Sequence, residues 1–328
     1  MPGSGTSTFI DPDDYQASLD RVPLDLLLVA SRGEFKAWVT SARLNHLYLL
    51  RSEEDFPRTA YVSLSPALVF VGFPTRLSPP IVWGGVELHP GEIVLHSRAE
   101  RFHQRTTGPC SWGLLGLAAA QFERYSETVT GKMLTAPAAG RVLWPAARNS
   151  GRLLRLFTQA CRLAQTRPKI LGHPEVARGL EQGIIHALMT CLQTTRTKYN
   201  EPARQDQQRI LIRFEDVLAK RLGGLLRMSE LCALTGVNER TLRSCCAEFL
   251  GISPSRYVLL RRLKQARSAL RDGDRATVSI GEIARACGFT ELGRFARAYQ
   301  TVFGETPLTT LRRPPGSGPT SPIFADPA

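Results

Sequence analysis

Two helix-turn-helix patterns near the C-terminus constrain the fold of this chain more than any other feature. Residues 279–307 are SIGEIARACGFTELGRFARAYQTVFGETP, and a similarly patterned segment begins about fifty residues earlier, at Met228. A helix-turn-helix places its second helix in the major groove of DNA. Two such units on one chain would let a single protomer reach two groove segments, so the pattern predicts sequence-specific binding to double-stranded DNA.

The first unit spans about residues 228–249. Leu231, Leu234 and Val237 predict the apolar side of a short first helix that enters a tight turn at Gly236, where the absence of Cβ tolerates positive φ. Asn238 is a good N-cap for the second helix. The helical spacing of the apolar residues in that helix predicts a core-facing stripe of Leu242, Cys245, Cys246 and Phe249. The exposed face would then consist of Glu239, Arg240, Arg243, Ser244 and Ala247.

The second unit, about residues 280–303, repeats this logic. Its first helix would pack through Ile280, Ile283, Ala284 and Cys287 and end at Gly288. Thr290 is expected to cap the next helix, in which Phe295, Tyr299 and Val302 face inward. Arg294 and Arg297 would project outward beside Glu291, and Leu292 could either pack inward or touch a thymine methyl group.

One long helix is predicted between the two units, in the segment GISPSRYVLLRRLKQARSALRDG. Its apolar stripe is Tyr257, Leu260, Leu263, Ala266 and Leu270. A single helix-turn-helix pattern is a weak signal, because helix pairs with a glycine turn are common. Two units in tandem, joined by a helix of this length in a basic region, are much more specific.

The charge distribution agrees with a nucleic-acid partner. The formal net charge is +13, and residues 223–313 hold 15 Lys and Arg against 8 Asp and Glu. This basic excess suits phosphate neutralisation. No apolar run is long enough for a membrane span, so we expect a cytoplasmic protein without a membrane partner. The cysteines are odd in number and form no CxxC pair, which favours buried free thiols over disulfides or zinc ligands, with redox sensing as an alternative.

Before the helical region, the segment from Leu24 to about Cys110 favours strands. Short β-prone runs such as LDLLLVA and EIVLHS are divided by Gly, Pro and charged breaks. Helices are predicted next, in 111–131, 151–166 and 174–195. The predicted fold class is therefore α+β: a β-barrel or jelly-roll-like sensor domain with helices at 16–193, and an all-α tandem helix-turn-helix domain at 208–313. Residues 1–15 would be a flexible lead, 194–207 a linker and 314–328 a disordered tail.

Two features of the N-terminal half suggest further sites. Val176, Leu180, Ile184, Leu188 and Leu192 form one helical stripe, with Ala187 and Cys191 beside it. The stripe predicts packing onto the barrel or, alternatively, a homodimer interface. An interior lined by Trp38, Phe70, Phe73 and Trp83 could hold a small-molecule effector, or these residues could simply be core.

Three histidines, His89, His96 and His103, lie seven residues apart. A metal site would require their imidazoles to converge, and ordinary turn or surface histidines are the simpler interpretation. We therefore expect neither a metal nor another cofactor. The motifs of common hydrolases and of Gly-rich phosphate loops are missing, so we expect no enzyme activity.

The segments GISPSRYVLLRRLKQARSAL and VSIGEIARACGFTELGRFARAYQTVFGETP closely resemble the AraC/XylS family of transcription regulators. They fit its patterns GxSPxxYxxxxRLxxARxxL and IxxIAxxxGFxxxxxFxRxFxxxxGxxP over roughly residues 208–313. The resemblance implies a seven-helix domain, two recognition helices in successive major grooves, and recruitment of RNA polymerase for activation. It also implies base-reading positions at Arg240, Arg243 and Ser244, and at Leu292, Gly293, Arg294 and Arg297.

Some positions depart from the family pattern. Cys246 replaces a usual core Phe, Ala247 a frequent basic residue, and Tyr299-Gln300 a frequent Phe-Lys pair. Gly293 weakens its helix by about 1 kcal/mol relative to Ala. These departures bear on affinity and on site choice.

These observations predict a transcription regulator, most simply an activator controlled by an effector in its N-terminal domain. The alternatives are a repressor without a ligand and an enzyme domain fused to an AraC-like module. The candidate DNA-binding residues are Glu239, Arg240, Thr241, Arg243, Ser244, Thr290, Glu291, Leu292, Gly293, Arg294 and Arg297.

Overall fold

The computed structural model describes residues 3–19, 22–29, 35–76, 79–193, 196–199, 202–221, 226–273 and 278–313. An N-terminal domain of strands and helices extends to residue 199, and an all-helical domain begins at residue 202. The predicted α+β class with a C-terminal helical domain is confirmed. The predicted disordered tail, 314–328, lies outside the described residues.

Two antiparallel sheets form the centre of the N-terminal domain. The larger sheet has the strand order β1 (Gly3–Phe9), β3 (Ala37–Arg43), β4 (Leu47–Glu54), β11 (Cys110–Ala118), β6 (Leu68–Pro74), β9 (Ile93–Leu95), β12 (Arg141–Trp144) and β13 (Arg196–Tyr199). The smaller sheet has the order β2 (Leu24–Val29), β5 (Arg58–Ser63), β10 (Arg101–Arg105), β7 (Ile81–Trp83) and β8 (Val86–Leu88). Within the described strands both sheets keep open edges, so a sandwich is correct and a closed barrel is wrong.

In the described ranges of the N-terminal domain, five helices accompany these sheets. They are α1 (Pro12–Ser18), α2 (Ala119–Thr130), α3 (Ala147–Thr166), α4 (Pro168–Leu171) and α5 (Pro174–Gln193). The helices predicted at 151–166 and 174–195 are confirmed as α3 and α5. Pro174 is the first residue of α5, where its missing N–H removes no intrahelical hydrogen bond.

The N-terminal domain is layered, and alternation along the strands explains why. Leu50 of β4 faces the apolar core between the sheets, whereas its neighbour Leu49 faces the core beneath α3 and α5. Successive side chains of a strand point to opposite faces. Because both faces of the larger sheet are covered, almost every residue of β4 is buried.

The helix predicted at 111–131 is correct only in its second half. Residues Cys110–Ala118 are the central strand β11, paired with β4 and β6, and the helix α2 begins at Ala119. The run SWGLLGL is buried on both faces, and a short, continuously apolar run of this kind does not distinguish a strand from a helix by its periodicity.

The predicted flexible lead is wrong where residues 3–15 are described. Gly3–Phe9 is strand β1, paired with β3, and α1 follows at once. Asp11 caps α1 by accepting a hydrogen bond from the N–H of Asp13 at 2.8 Å, and Pro12 is at the first helical turn. Asp-Pro-Asp-Asp is thus an ordinary helix start.

The predicted linker at 194–207 is also wrong where this segment is described, because it contains a strand and the start of a helix. Residues Arg196–Tyr199 form strand β13, which pairs with β12 and completes one edge of the larger sheet. The next helix already begins at Pro202. Of the predicted linker, 194, 195, 200 and 201 lie outside the described residues.

The apolar stripe of α5 packs inside the protomer. Ile184 and Leu188 are fully buried against α3 and the larger sheet, and Leu180 and Leu192 pack at the margin of the same core. Of the two interpretations of this stripe, the structure therefore agrees with packing onto the sheets. A dimer interface through this stripe would require residues that the core of the domain already uses.

The described part of the C-terminal domain contains seven helices, the number that the family resemblance implies. They are α6 (Pro202–Lys220), α7 (Met228–Thr235), α8 (Glu239–Leu250), α9 (Pro254–Asp272), α10 (Ile280–Ala286), α11 (Leu292–Phe303) and α12 (Pro307–Arg312). Two apolar cores divide this domain, one around α6–α8 and one around α10–α12, and α9 contributes to both. The long bridging helix is confirmed.

A buried ion pair holds α1 against the larger sheet. Arg58 and Glu54 have side chains only 1% exposed, with Arg58 Nε donating to Glu54 Oε2 at 2.6 Å. The hydroxyl of Tyr15 in α1 donates to Glu54 Oε1 at 2.5 Å, and Trp112 Nε1 donates to the same oxygen at 2.8 Å. Burial favours the neutral acid, but the charge and hydrogen bonds of Arg58 keep the pKa of Glu54 below its ordinary value.

Candidate nucleic-acid interface

The first helix-turn-helix has the predicted turn and cap. Gly236 has a φ of 73° and ends α7, and the Asn238 side chain accepts a hydrogen bond from the N–H of Thr241 at 2.8 Å. All four residues of the predicted core stripe of α8 are buried. Leu234 is the exception in α7, because it is 43% exposed rather than in the core.

The exposed face of α8 is the predicted one. Glu239, Arg240, Arg243 and Ser244 are all exposed in the N-terminal half of the helix, and Thr241 is half-buried. Recognition helices contact base edges through their N-terminal residues. The Arg243 guanidinium forms an ion pair with Glu239 at 2.6 Å on this exposed surface, a contact that a DNA partner would have to replace.

The second helix-turn-helix also forms, with one error at its cap. Gly288 has a φ of 79°, and Phe295 and Tyr299 of α11 are buried. Glu291, not Thr290, is the N-cap residue of α11, and its side chain makes no capping hydrogen bond. Thr290 lies one residue too early in the chain to cap this helix, because α11 starts only at Leu292.

The outward face of α11 carries its predicted candidates. Glu291, Leu292, Gly293, Arg294 and Arg297 are exposed. Leu292 is 41% exposed, which resolves its two possible orientations in favour of the surface. Arg294 Nε forms an exposed ion pair with Glu291 at 3.0 Å.

On these two helix faces, Arg240 of α8 and Arg297 of α11 have no ion-pair partner among the described residues. Each recognition helix therefore presents one arginine in an exposed ion pair and one with its donors open to a partner. Guanidinium groups with free donors suit guanine edges and phosphates.

Arg262 of α9 fixes the turn of the second unit. Its guanidinium donates to the carbonyl oxygen of Cys287 at 2.6 Å and to that of Gly288, and it lies 4.4 Å from the centroid of the Phe289 ring. Burial lowers the pKa of Arg262. These carbonyls belong to the end of α10 and the turn, so the bridging helix directly orients the second helix-turn-helix.

The first helix-turn-helix packs on the smaller sheet of the N-terminal domain. Leu26, Leu28 and Tyr61 of that sheet share one apolar core with α6, α7 and α8. At the C-terminal end of α8, Thr59 Oγ1 donates to the carbonyl oxygen of Leu250 at 3.3 Å. The sheet thus contacts the end of α8 that is remote from Arg240 and leaves its N-terminal half exposed.

A buried polar cluster reinforces this contact. His103 of β10 lies 2.8 Å from Glu215 of α6, and Tyr257 and Arg261 of α9 bond to the same carboxylate. Burial would raise the pKa of Glu215, but the hydrogen bond and charge of His103 and the charge of Arg261 hold this pKa below its ordinary value. One carboxylate therefore joins both domains.

A second contact joins α1 to the other half of the C-terminal domain. We call residues Asp11–Asp14 the acidic turn. Asp13 contacts Lys264 and lies 3.0 Å from Arg267 and from Arg271, all three in α9. Asp11 also pairs with Arg267 at 3.0 Å and with Arg271 at 2.6 Å, and Asp14 pairs with Arg271 at 2.6 Å. The acidic turn thus holds the part of α9 on which the second unit packs.

Sequence reasoning missed this junction. The helix start at Asp11 was detectable from its Asp-Pro pair and acidic first turn. Its partners in α9 lie about 250 residues further along the chain, and charged residues so far apart have no local pattern that would pair them. His103 and Glu215 are likewise far apart in the chain, and no local pattern would pair them.

The histidines and cysteines do not form a metal centre. His89 is exposed, His96 is buried at 3.0 Å from Glu100, and His103 bonds Glu215. The interpretation as turn or surface histidines is therefore correct only for His89. In the described part of the chain, no three metal-binding side chains come together. All seven cysteines are free thiols, and six are buried. No described helix is long and apolar enough to cross a membrane.

The four aromatic residues that were expected to line an effector site lie in different parts of the N-terminal domain. Phe73 and Trp83 line a small cavity between the sheets. Phe70 is buried core beside it, and Trp38 lies on a surface cleft near Glu53 and Gln165. The four aromatic side chains therefore do not enclose one common site.

Known proteins match the C-terminal domain. A family model described as a helix-turn-helix domain matches residues 231–313. The XylDLEGF operon transcriptional activator of Pseudomonas putida is 36% identical over 103 residues, 31% of this chain and 31% of that protein. The HTH-type transcriptional regulator GbdR of Pseudomonas aeruginosa is 36% identical over 80 residues, 24% of this chain and 21% of that protein. The chain thus spans less than a third of the length of these relatives.

The AraC-like transcriptional activator CuxR covers 86% of this chain and 99% of its own, at 15% identity and a TM-score of 0.44. The sequence matches, in contrast, fall on the helices that carry the two turns at Gly236 and Gly288. The C-terminal domain is thus a helix-turn-helix domain similar to those of AraC/XylS-type transcription regulators.

Proposed function

We propose that this chain is a regulator of transcription that binds a specific double-stranded DNA site through α8 and α11. The observation that carries the proposal is the pair of exposed, arginine-bearing N-terminal helix halves on two helix-turn-helix units joined by one helix. Three further candidates, the exposed Ser244 and Thr290 and the half-buried Thr241, would contribute hydrogen bonds to bases or phosphates.

The length of α9 suits two successive major grooves. This helix has 19 residues, which corresponds to about 28 Å at 1.5 Å per residue. Successive major-groove segments on one face of B-DNA are about 34 Å apart. A single rigid helix can therefore space the two recognition helices by about one turn of DNA without a flexible linker between them.

Control of this binding would come from the N-terminal domain. That domain contacts α6, α8 and α9 through a shared apolar core and buried ion pairs, so a change in it reaches both helix-turn-helix units. The two relatives named above are a transcriptional activator and a transcriptional regulator. We accordingly propose activation of transcription through RNA polymerase under the control of a small-molecule effector, by a cytoplasmic protein that can pair as a homodimer.

Replacing Arg240 or Arg297 by alanine is expected to weaken specific DNA binding. Each guanidinium is exposed and unpaired among the described residues, so its loss should cost about 1–3 kcal/mol, roughly 5- to 150-fold in Kd. Arg243→Ala and Arg294→Ala should give smaller losses, because each guanidinium must first leave an exposed ion pair. Fluorescence anisotropy with a duplex selected from a random pool measures each Kd.

Arg155→Ala is the matched control. Arg155 is an exposed arginine of α3, on the far side of the larger sheet from the C-terminal domain. Its loss removes the same charge without touching either recognition helix, and we expect a change of less than about twofold. Equal, small effects of all five substitutions would show that the recognition faces lie elsewhere.

A further inference from the structure

The solvent side of α3 carries a row of arginines. Four exposed arginines lie on this 20-residue helix: Arg148, Arg152, Arg155 and Arg162. At 3.6 residues per turn, these positions lie within about a quarter of the helix circumference and extend over about 21 Å of its length. We call these four residues the arginine row. The row is nearly straight, because positions three or four residues apart are neighbours on the helix surface.

No acidic side chain accompanies the arginine row. The helix α3 contains no Asp or Glu, and residues 128–174 hold eight Lys and Arg without any Asp or Glu. Among the described residues, none of the four guanidinium groups has an ion-pair or hydrogen-bond partner. Other exposed arginines of the N-terminal domain do have partners: Arg76 pairs with Glu53 at 2.9 Å, and Arg124 donates to Gln121 at 2.5 Å.

The packing of α3 does not require these arginines. Leu153 and Phe157, on the opposite side of the helix, are fully buried against the core beneath the larger sheet. Like charges one turn apart on a helix destabilise it slightly. The charges that would offset this repulsion are absent from the described part of the protomer, which points to a partner that supplies them.

DNA held by the recognition helices lies on the other side of the molecule. The layers of the protein run from α3 and α5 through the larger sheet and the smaller sheet to α6–α8. Packed layers lie about 10 Å apart, so about 30 Å of protein separates α3 from α8. A duplex also turns once in about 34 Å, so over 21 Å each strand passes from one side to the other. A straight row of this length therefore does not follow its phosphates.

The uncharged part of the exposed face restricts the partner further. Apart from Ala147 and the arginines, the exposed residues of α3 are polar: Thr158, Gln159, Gln165 and Thr166. The helix exposes no large apolar side chain, whereas helices that lie on a lipid surface insert such side chains. A second copy of this face would bring a second row of arginines and would repel the first.

We propose that the arginine row is a docking surface for an acidic helix of a partner protein. Carboxylates at the same spacing on a facing helix repeat with the same rise per residue as the arginines, so the two rows stay in register. A guanidinium group binds a carboxylate through two parallel hydrogen bonds, which arginine forms and lysine does not. The surface is separate from α8 and α11, and this docking does not depend on the proposed DNA binding.

Two designed peptides test the proposal on the full chain. Both are helical by circular dichroism, have about 20 residues and share one composition. The striped peptide has glutamates at i, i+4, i+7, i+11 and i+14, and the scattered peptide has the same glutamates spread around the helix. Fluorescence anisotropy at about 50 mM salt should give the striped peptide a Kd below about 100 µM, and the scattered peptide a Kd at least about threefold higher.

Two triple variants with equal loss of charge locate the surface. The row variant combines Arg148→Gln, Arg152→Gln and Arg155→Gln, and the control variant combines Arg76→Gln, Arg98→Gln and Arg124→Gln, all exposed positions. Arginine and glutamine have similar helix propensities, so α3 should stay folded, which thermal unfolding checks. The row variant should bind the striped peptide at least about tenfold more weakly, and the control variant less than about twofold more weakly. Arg152→Gln alone should cost about two- to threefold.

A random-sequence duplex is the second probe. The row variant should bind this duplex with less than about a twofold change, because the row lies far from the recognition helices. A loss for the duplex as large as the loss for the striped peptide would assign the row to nucleic acid and overturn the proposal.

Three results of the peptide titration would also contradict an acidic helical partner. They are no binding of the striped peptide at about 1 mM, equal affinity for the striped and scattered peptides, and equal losses in the row and control variants. The titration contains no DNA, so its outcome is independent of whether α8 and α11 bind a specific site.

Discussion

Replacement of Arg58 by methionine is expected to destabilise the N-terminal domain by about 3–5 kcal/mol, because it leaves a buried carboxylate without its counter-charge. Glu54 is 1% exposed, and its other contacts are neutral hydrogen bonds donated by Tyr15, Cys110 and Trp112. Urea unfolding at pH 7 measures the loss. Since Tyr15 anchors α1 to Glu54, the acidic turn should loosen at the same time.

The pH dependence of this loss distinguishes charge from packing. In the wild type the pKa of Glu54 lies below its ordinary value, so its contribution to stability is present above about pH 4.3 and is lost as the pH falls. Without Arg58, burial raises this pKa, and the deficit of the variant should therefore shrink on acidification. The double variant Arg58→Met with Glu54→Gln should recover at least half of the loss.

Arg76→Met is the control for Arg58. Arg76 is 61% exposed and pairs with Glu53 at 2.9 Å, and an exposed ion pair of this kind contributes less than about 1 kcal/mol. If Arg58→Met were no more destabilising than Arg76→Met, the buried ion pair would have no role in holding the sheet and α1 together.

The second large effect is expected at the acidic turn. Asp13→Ala leaves Lys264, Arg267 and Arg271 close together with one acidic partner fewer. We expect the contact between α1 and α9 to weaken by about 2–4 kcal/mol, since uncompensated buried charge is costly and Asp11 and Asp14 only partly replace the missing carboxylate. Hydrogen exchange should become faster in α1 and α9 and remain unchanged in α3.

Asp272→Ala is the matched control for Asp13. Asp272 is exposed at the C-terminal end of α9, the helix that carries the basic partners of Asp13. Its loss should change stability by less than about 0.5 kcal/mol. Unaltered exchange in α1 and α9 of Asp13→Ala would contradict a structural role of the acidic turn in the junction between the domains.

The local chemistry of the C-terminal domain made it predictable. Gly236 and Gly288 mark its turns, Asn238 caps α8, and the apolar spacing in α8 and α11 separates core residues from exposed arginines. Each of these signals acts within a few residues along the chain. Thr290 is an exception, because α11 starts only at Leu292 and Glu291, not Thr290, is its N-cap residue.

The N-terminal domain was less predictable, because its structure depends on pairing between distant residues. The run SWGLLGL becomes a strand because β4 and β6 flank it on both sides. The contacts of Asp13 with α9 and of His103 with Glu215 likewise join positions that no sequence period relates. Core side chains fill most of the space between the two sheets, whereas a larger cavity remains where the N-terminal domain meets α9.

Selection of DNA from a random pool by the full chain, followed by sequencing, tests the central claim most directly. Two recognition helices on one bridging helix predict an enriched site with two short conserved segments, about 10 base pairs apart from centre to centre. Because arginine side chains bind guanine edges in the major groove, Arg240 and Arg297 predict guanines within these segments. A pool without any enriched sequence, or with a single conserved segment, would contradict a bipartite reading of DNA by α8 and α11.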